Sequence, residues 1–273
     1  MCDAMADRTS VRPKASSLRI CVLGSGSKGN CTYIESPEAC LLIDAGLSAR
    51  EIERRLRQIE RSPAALDGVL ISHEHSDHIH GVGALARRYK LPVYMNAATW
   101  QRAQHVVGLV DDRREFLTGA PFEIKDVVID PFSLPHDADD PVAFRLTWRR
   151  RSMAVITDLG YPSQLVRERI RGCQLLVLEA NHDEAMLKAG PYPWPLKQRI
   201  GGKAGHLSNA QSSLLLQDVL HDELEHVVLA HLSEINNHPE LARLTVQEVL
   251  GSRCTRLCIA SQRDVSEWFL LID

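Results

Sequence analysis

The stretch "VLISHEHSDHIHG" places His73, His75, Asp77 and His78 in H-x-H-x-D-H spacing directly behind an apolar run. Alternation along an extended segment sends His73 and His75 to one side, and a turn at Ser76 brings Asp77 and His78 toward a neighbouring point. One loop can then serve two adjacent divalent ions. Imidazoles suit zinc, and also manganese or iron, while a carboxylate adds affinity for hard ions and can orient an attacking water. Two ions need more donors than one loop supplies. His136 after "VVIDPFSLP", Asp158 after "SMAVITD" and His231 after "HVVLA" stand at the ends of further strand-like runs. Together they complete a set: His73, His75 and His136 on one ion, Asp77, His78 and His231 on the other, and Asp158 between them. His80 falls outside this pattern.

A second constellation lies near the amino terminus. In "ICVLGSGSKGNCTYIESP", Gly24, Gly26 and Gly29 spell G-x-G-x-x-G, and Asp44 follows 20 positions after the first glycine. A dinucleotide site needs a helix directly after such glycines, its amino terminus facing the pyrophosphate. The residues from Cys31 to Pro37 are instead β-branched, aromatic and stopped by proline, so they form a second strand and no nucleotide cofactor is expected. The glycines then make a turn. If that turn lies on the metal rim, its backbone N–H groups, Ser27 and Asn30 would form a small nest for a substrate phosphate.

The elements that must position these residues follow from periodicity. Short apolar strands alternate with amphipathic helices along all 273 residues, without repeats or long linkers, which predicts one layered α/β domain. Strands are expected at 19–23, 32–36, 41–44, 68–72, 93–95, 127–134, 142–148, 152–157, 174–179, 227–230, 256–260 and 267–271. Helices are expected at 48–60, 79–89, 97–107, 162–171, 183–188, 208–220 and 239–250. Residues 1–17 read as a disordered polar tail before a domain spanning 18–273. An apolar fraction of 44% supports a sizeable core, and a formal charge of −3 gives no overall cationic field. No apolar run approaches the roughly 20 residues of a membrane span, and no signal-peptide core opens the chain. The seven scattered cysteines read as reduced thiols, so a cytoplasmic protein is expected, and Cys254 with Cys258 lacks the second pair a structural zinc site needs.

The order H-x-H-x-D-H, then His136, Asp158 and His231, resembles the metallo-β-lactamase superfamily. That resemblance implies a four-layer αββα sandwich with a dinuclear centre at one edge, Asp158 bridging the ions and Asp44 supporting the site without binding metal. The 72 residues between Asp158 and His231 are too few for the inserted domain of RNase J type enzymes, and the 21 between His136 and Asp158 leave no room for a tRNA-clamping arm. "LLVLEANHD" and "GGKAGHLSNAQS" place Glu179 and His206 so that they resemble the pair that protonates a leaving oxygen in tRNase Z enzymes. A carboxylate oriented on an imidazole makes a competent general acid near neutral pH. More narrowly, "GSGSKGN", "ISHEHSDHIHGVGAL", "EANHDEAMLKAGPYPWPLKQRIGGKAGHLSN" and "AHLSEINNHPELA" are similar to the YycJ/WalJ family of bacterial proteins on this fold, described as metal-dependent hydrolases with 5′ exonuclease action on DNA.

The expected chemistry is phosphodiester hydrolysis at a two-metal centre, with Asp77 binding an ion and orienting the nucleophile while His206, held by Glu179, delivers a proton. In "GPYPWPLKQRIGGKAGH", Tyr192, Lys197 and Arg199, with Trp194 among them, offer stacking rings beside cations, which suits single-stranded nucleic acid. His182 lies close enough to Glu179 to line the site. DNA is favoured over RNA as substrate, no membrane partner is expected, and hydrolysis of small phosphodiesters or thioesters on the same fold is the alternative.

Overall fold

The computed structural model describes residues 17–273. In β1 (Ser17–Gly24), Leu18, Ile20 and Val22 face one core while Cys21 and Leu23 face another, as a sheet covered on both sides requires. β1 opens an antiparallel meander with β2 (Cys31–Glu35) and β3 (Cys40–Ile43), and β4 (Gly68–Leu70), β5 (Val93–Met95) and β6 (Arg113–Glu115) continue the sheet in parallel. The second sheet repeats this plan. β7 (Phe122–Ile124), β8 (Val127–Ser133), β9 (Val142–Trp148) and β10 (Arg151–Ile156) form its antiparallel part, and β11 (Leu175–Glu179), β12 (His226–Ala230) and β13 (Arg256–Ile259) its parallel part. β14 (Phe269–Ile272) returns to pair with β1, giving two seven-stranded sheets.

The helices are α1 (Ala49–Gln58), α2 (Ser76–Ile79), α3 (Val82–Tyr89) and α4 (Ala97–Val107) in the first half, and α5 (Gln164–Ile170), α6 (Glu184–Ala189), α7 (Trp194–Ile200), α8 (Asn209–Val219) and α9 (Pro239–Leu250) in the second. Ser48, Asn96, Ser163, Asp183 and Ser208 cap five of them, each side chain accepting a first-turn N–H that would otherwise lack a partner. Three apolar clusters define four layers. Ile20, Ile43, Phe144, Trp148 and Val177 pack between the sheets; Ile52, Leu56, Leu85 and Trp100 cover the outer face of the first; Val166, Leu215, Leu216 and Val246 cover that of the second. Each such side chain contributes about 1.5–3 kcal/mol by leaving water, and together they hold the strand ends rigid.

The αββα sandwich expected from the resemblance is present as one domain. The tail expected at residues 1–17 lies outside the described residues apart from Ser17, which opens β1 and is buried. The helix expected at 79–89 is α3, which starts at Val82 and is preceded by the one-turn α2; Gly81 between them packs so tightly on the segment before α1 that a Cβ there would meet Leu47 O at 2.2 Å. The short strands β6 and β7 were not expected, and α7 occupies a stretch that its prolines mark as loop. Pro193 and Pro195 sit at its start, where proline costs no hydrogen bond. No disulfide joins the six cysteines among the described residues. Among those residues, no helix is long and apolar enough to cross a membrane.

Candidate metal centre

The carboxyl ends of β3, β4, β10, β11 and β12 lie on one rim, and each carries a polar residue in or just beyond its last turn of chain. Three of these, Asp44, Asp158 and His231, have φ of 59°, 60° and 56°. The left-handed region is unfavourable for side-chain-bearing residues, and its recurrence at three strand ends marks a site where backbone strain is accepted to aim side chains.

Two sets of ligand atoms converge there. His73 Nε2 lies 3.1 Å from His75 Nδ1, which lies 3.3 Å from His136 Nε2. Asp77, His78 and His231 form the second set, with Asp77 Oδ2 at 3.7 Å from His78 Nε2 and 3.5 Å from His231 Nε2. Asp158 reaches both: Oδ1 is 3.8 Å from His136 Nε2 and 3.6 Å from His231 Nε2, and Oδ2 is 3.0 Å from His78 Nε2. Within each set, every ligand atom lies within 4.8 Å of the others.

The imidazoles are aimed by bonds at their other nitrogens. His136 Nδ1 is 3.1 Å from Gly205 O, His78 Nδ1 is 2.7 Å from Asp44 Oδ2, and His231 Nδ1 is 2.9 Å from Glu179 Oε1. Such partners fix the tautomer and leave Nε2 as the donor atom, the arrangement that supports metal-ligating histidines. Asp44, only 2% exposed, also accepts from Ser72 N–H at 2.8 Å and from the Ser72 hydroxyl, which lies 3.0 Å from His73 Nδ1.

The electrostatics fit a cationic occupant. Burial alone would lower the pKa of His78 and of His231, but Asp44, Asp158 and Asp77 around the first, and Asp158, Asp77 and Glu179 around the second, hold both well above the ordinary value. Burial raises Asp158, yet His231, His78 and His73 carry it well below the carboxylate range. His231 Nε2 is buried without a hydrogen-bond partner in the protein, and Asp158 Oδ2, equally buried, meets only His78 Nε2. A divalent ion would meet both the charge and the unsatisfied ligand atoms, so this donor set fits a divalent metal.

Beside the ligands, Glu179 is 0% exposed and its carboxylate accepts from five groups. Oε1 takes His231 Nδ1, His206 Nδ1 at 2.9 Å and Asp158 N at 3.2 Å; Oε2 takes Leu159 N at 2.8 Å and Leu207 N at 3.1 Å. Asp158, Glu179, His206 and His231 are also close enough to hold an ion as a group, but Glu179's oxygens are already filled and act by orientation. Burial raises its pKa, and His206 and His231 more than reverse this, leaving it near 2. Burial lowers His206, and Glu179 then raises it above the ordinary imidazole value.

The glycine turn between β1 and β2 is stitched to this centre in a way that revises the phosphate nest. The N–H groups of Ser25, Gly26, Lys28, Gly29 and Asn30 donate to Ser261 O, Asn30 Oδ1, Gln262 Oε1, Gly26 O and Asp77 O. They have none left for an anion, and Ser27 stands exposed at the tip. Asn30 also braces the metal loop through its backbone N–H, which donates to Asp77 O at 2.8 Å. Ser25 Oγ accepts His231 N–H at 2.8 Å. Gly46 abuts the same loop so closely that a Cβ would lie 1.6 Å from Asp77 O. Gly46→Ala is therefore expected to cost about 1–3 kcal/mol and to weaken metal binding, measured by thermal denaturation with and without added metal.

Of the other residues expected to contact substrate, Arg199 is exposed and donates to Asp137 beside His136 at 2.5 Å. Lys197 Nζ donates to Lys188 O at 2.7 Å, Tyr192 is half-buried, and His182 is buried next to Ser208, its pKa lowered by that burial. Ser72, Ser25 and Asn181, whose Nδ2 donates to His231 O at 2.9 Å, were not singled out from sequence. Only the position of Ser72 before His73 and of Asn181 after Glu179 could have pointed to them.

A face-to-face sheet pair with this rim defines the β-lactamase superfamily of metal-dependent hydrolases, and the family model "Beta-lactamase superfamily domain" matches residues 40–234. The chain is 42% identical to Exodeoxyribonuclease YycJ of Bacillus anthracis over 238 residues, covering 86% of this chain and 90% of that one. It is 41% identical to Exodeoxyribonuclease WalJ of Streptococcus pneumoniae serotype 2 over 234 residues, covering 84% and 87%. The crystal structure of the metallo-β-lactamase-fold protein YhfI from Bacillus subtilis superimposes with a TM-score of 0.73 at 18% identity, over 93% of this chain and 100% of that one. Within the superfamily, this chain belongs to the YycJ/WalJ family.

Proposed function

We propose that this protein is a metal-dependent exodeoxyribonuclease that digests DNA from the 5′ end at the rim formed by His73, His75, Asp77, His78, His136, Asp158 and His231. The observation that carries the reading is the pair of ligand sets joined through Asp158, with an imidazole and carboxylate pair at its side. The names of the relatives at 41–42% identity supply DNA as the substrate class.

His73, His75 and His136 would hold one ion, Asp77, His78 and His231 the other, with Asp158 between them. Zinc is the first choice for so imidazole-rich a set, with manganese or iron as alternatives. Bound divalent ions supply Lewis acidity to phosphate oxygens and make water a nucleophile near neutral pH. Asp77 orients the attacking water. His206 donates from Nε2 to the leaving oxygen while its Nδ1 stays on Glu179. Asp44, through His78, keeps the second set in register. Lys197, Arg199, Tyr192 and His182 would contact the strand, and a cytoplasmic location suits the substrate.

His206→Ala is expected to lower kcat on DNA by about 100-fold or more with metal retained, and to lower it less on bis-p-nitrophenyl phosphate, whose leaving group needs little help from a proton. Equal losses on both substrates would remove His206 from the acid role. The reading as a whole is tested by incubating metal-loaded protein with end-labelled DNA, end-labelled RNA and bis-p-nitrophenyl phosphate. Stepwise release from the DNA 5′ end is expected; turnover confined to the small ester would overturn it.

A further inference from the structure

Behind the rim, the two ligand sets meet at one buried hydroxyl. Ser72 Oγ lies 3.0 Å and 2.9 Å from the two oxygens of Asp44, 3.0 Å from His73 Nδ1 and 3.2 Å from His78 Nδ1. His73 belongs to the first set and His78 to the second, and their ring centres are 4.1 Å apart. All four residues are buried, so water offers none of them a ready substitute partner.

Counting donors leaves one arrangement. A carboxylate only accepts, so the single hydroxyl proton of Ser72 goes to Asp44, and His78 Nδ1, 2.7 Å from Asp44 Oδ2, carries a proton of its own. The Ser72 oxygen then has only lone pairs to offer His73. The His73 Nδ1 must therefore be the protonated nitrogen, which leaves Nε2 bare for an ion. A continuous chain results: His73 N–H donates to Ser72, the Ser72 hydroxyl donates to Asp44, and His78 N–H donates to the same carboxylate. The Ser72 backbone N–H, 2.8 Å from Asp44 Oδ1, holds that carboxylate in place. The opposite tautomer of His73 has a competing partner, because His75 Nδ1 lies 3.1 Å from His73 Nε2. A proton there would turn both ligand atoms toward each other and away from an ion.

We propose that Ser72 is a positioning residue that couples the two ion sites, its hydroxyl fastening His73 to the same carboxylate that fastens His78. The inference rests on the metal-centre reading and adds that neither set is supported alone. Removing the hydroxyl frees His73 to move its proton onto Nε2 and takes a donor from Asp44, so the first set loosens most and the second loosens with it.

The test titrates full-length protein with zinc against a chelating indicator of known affinity, which reads both binding steps without turnover. Wild type is expected to take up two ions. Ser72→Ala is expected to weaken both steps, at least one of them by about tenfold or more, the size of effect that loss of a ligand's supporting partner gives. Asp44→Asn should also weaken both, and the double variant should lose less than the product of the single losses, because the two residues act in one chain. Wild-type affinity in Ser72→Ala overturns the proposal, as does a loss confined to one step or a full product of losses in the double variant. Ser72→Cys keeps the bulk with only a weak S–H donor and carries the same expectations should the alanine variant fail to fold. Nitrogen-15 NMR of histidine-labelled, zinc-free protein supplies a readout that a change in stability alone would not move. His73 should hold its proton on Nδ1 in wild type and populate the Nε2 form in Ser72→Ala; an unchanged tautomer overturns the proposal. Wild type that binds no zinc would end the metal-centre reading and this proposal with it, a result distinct from a wild type and variant that bind two ions alike.

Discussion

Asp158→Ala is expected to lower turnover of DNA by about a thousandfold or more and to deplete bound metal. Its two oxygens are the ones that approach both ligand sets, at 3.0 Å from His78 Nε2, 3.6 Å from His231 Nε2 and 3.8 Å from His136 Nε2. Without it, buried imidazoles face each other with no shared anion, and each thousandfold in rate corresponds to about 4 kcal/mol of lost transition-state stabilisation. Alanine also sits poorly at φ 60°, so the substitution carries a conformational cost of about 1–2 kcal/mol. Asp158→Asn separates the two effects. Asparagine tolerates the left-handed region, keeps the shape and removes the charge, so it should fold normally and still lose metal. Kinetics beside metal analysis of both variants checks this, and an Asp158→Asn protein with full metal and full turnover would refute the bridging role.

Glu179→Gln is expected to have the largest effect on stability, about 3–5 kcal/mol, seen as a fall in Tm of roughly 10 °C. The carboxylate accepts two imidazole N–H groups and three backbone N–H groups in a fully buried position. Whichever oxygen becomes an amide nitrogen, a donor then meets donors, and a buried N–H is left unpaired. The same change releases His231 from its orientation and His206 from its partner, so kcat should drop by about 100-fold even at temperatures where the protein stays folded. Thermal denaturation and DNA turnover measure the two parts separately. A variant with unchanged Tm would show that the five hydrogen bonds do not act together.

The convergence of His73, His75, Asp77, His78, His136, Asp158 and His231 on one rim was legible because metal-ligating residue types stand out and because strand ends are visible in apolar periodicity. The sheet pair was legible for the same reason: the strands alternate between two cores, and the helices carry their caps in plain sight. What the chain did not disclose were contacts made by residues too common to stand out. Ser72 and Ser25 each hold a ligand-bearing element through a single hydroxyl, and a serine carries no spacing signature. Asn30 was expected at a substrate phosphate; that its Oδ1 accepts Gly26 N–H and its backbone N–H donates to Asp77 O was hidden, because sequence cannot tell which side of a turn faces the site. The left-handed backbone at Asp44, Asp158 and His231 was equally hidden, since none of these is the glycine that usually announces it. α7 was missed because three prolines around Trp194 argue for loop unless their placement at a helix start is known.

A rim that hydrolyses DNA at a divalent-metal centre must lose its activity with its metal and regain it when metal returns. Its most direct test is an add-back titration, in which chelator-stripped protein receives measured equivalents of zinc or manganese and its release of nucleotides from end-labelled DNA is followed. Activity should be absent at zero metal, rise with each addition and level off at about two equivalents per chain. Full activity in the stripped protein, or none at any metal level, would contradict the account.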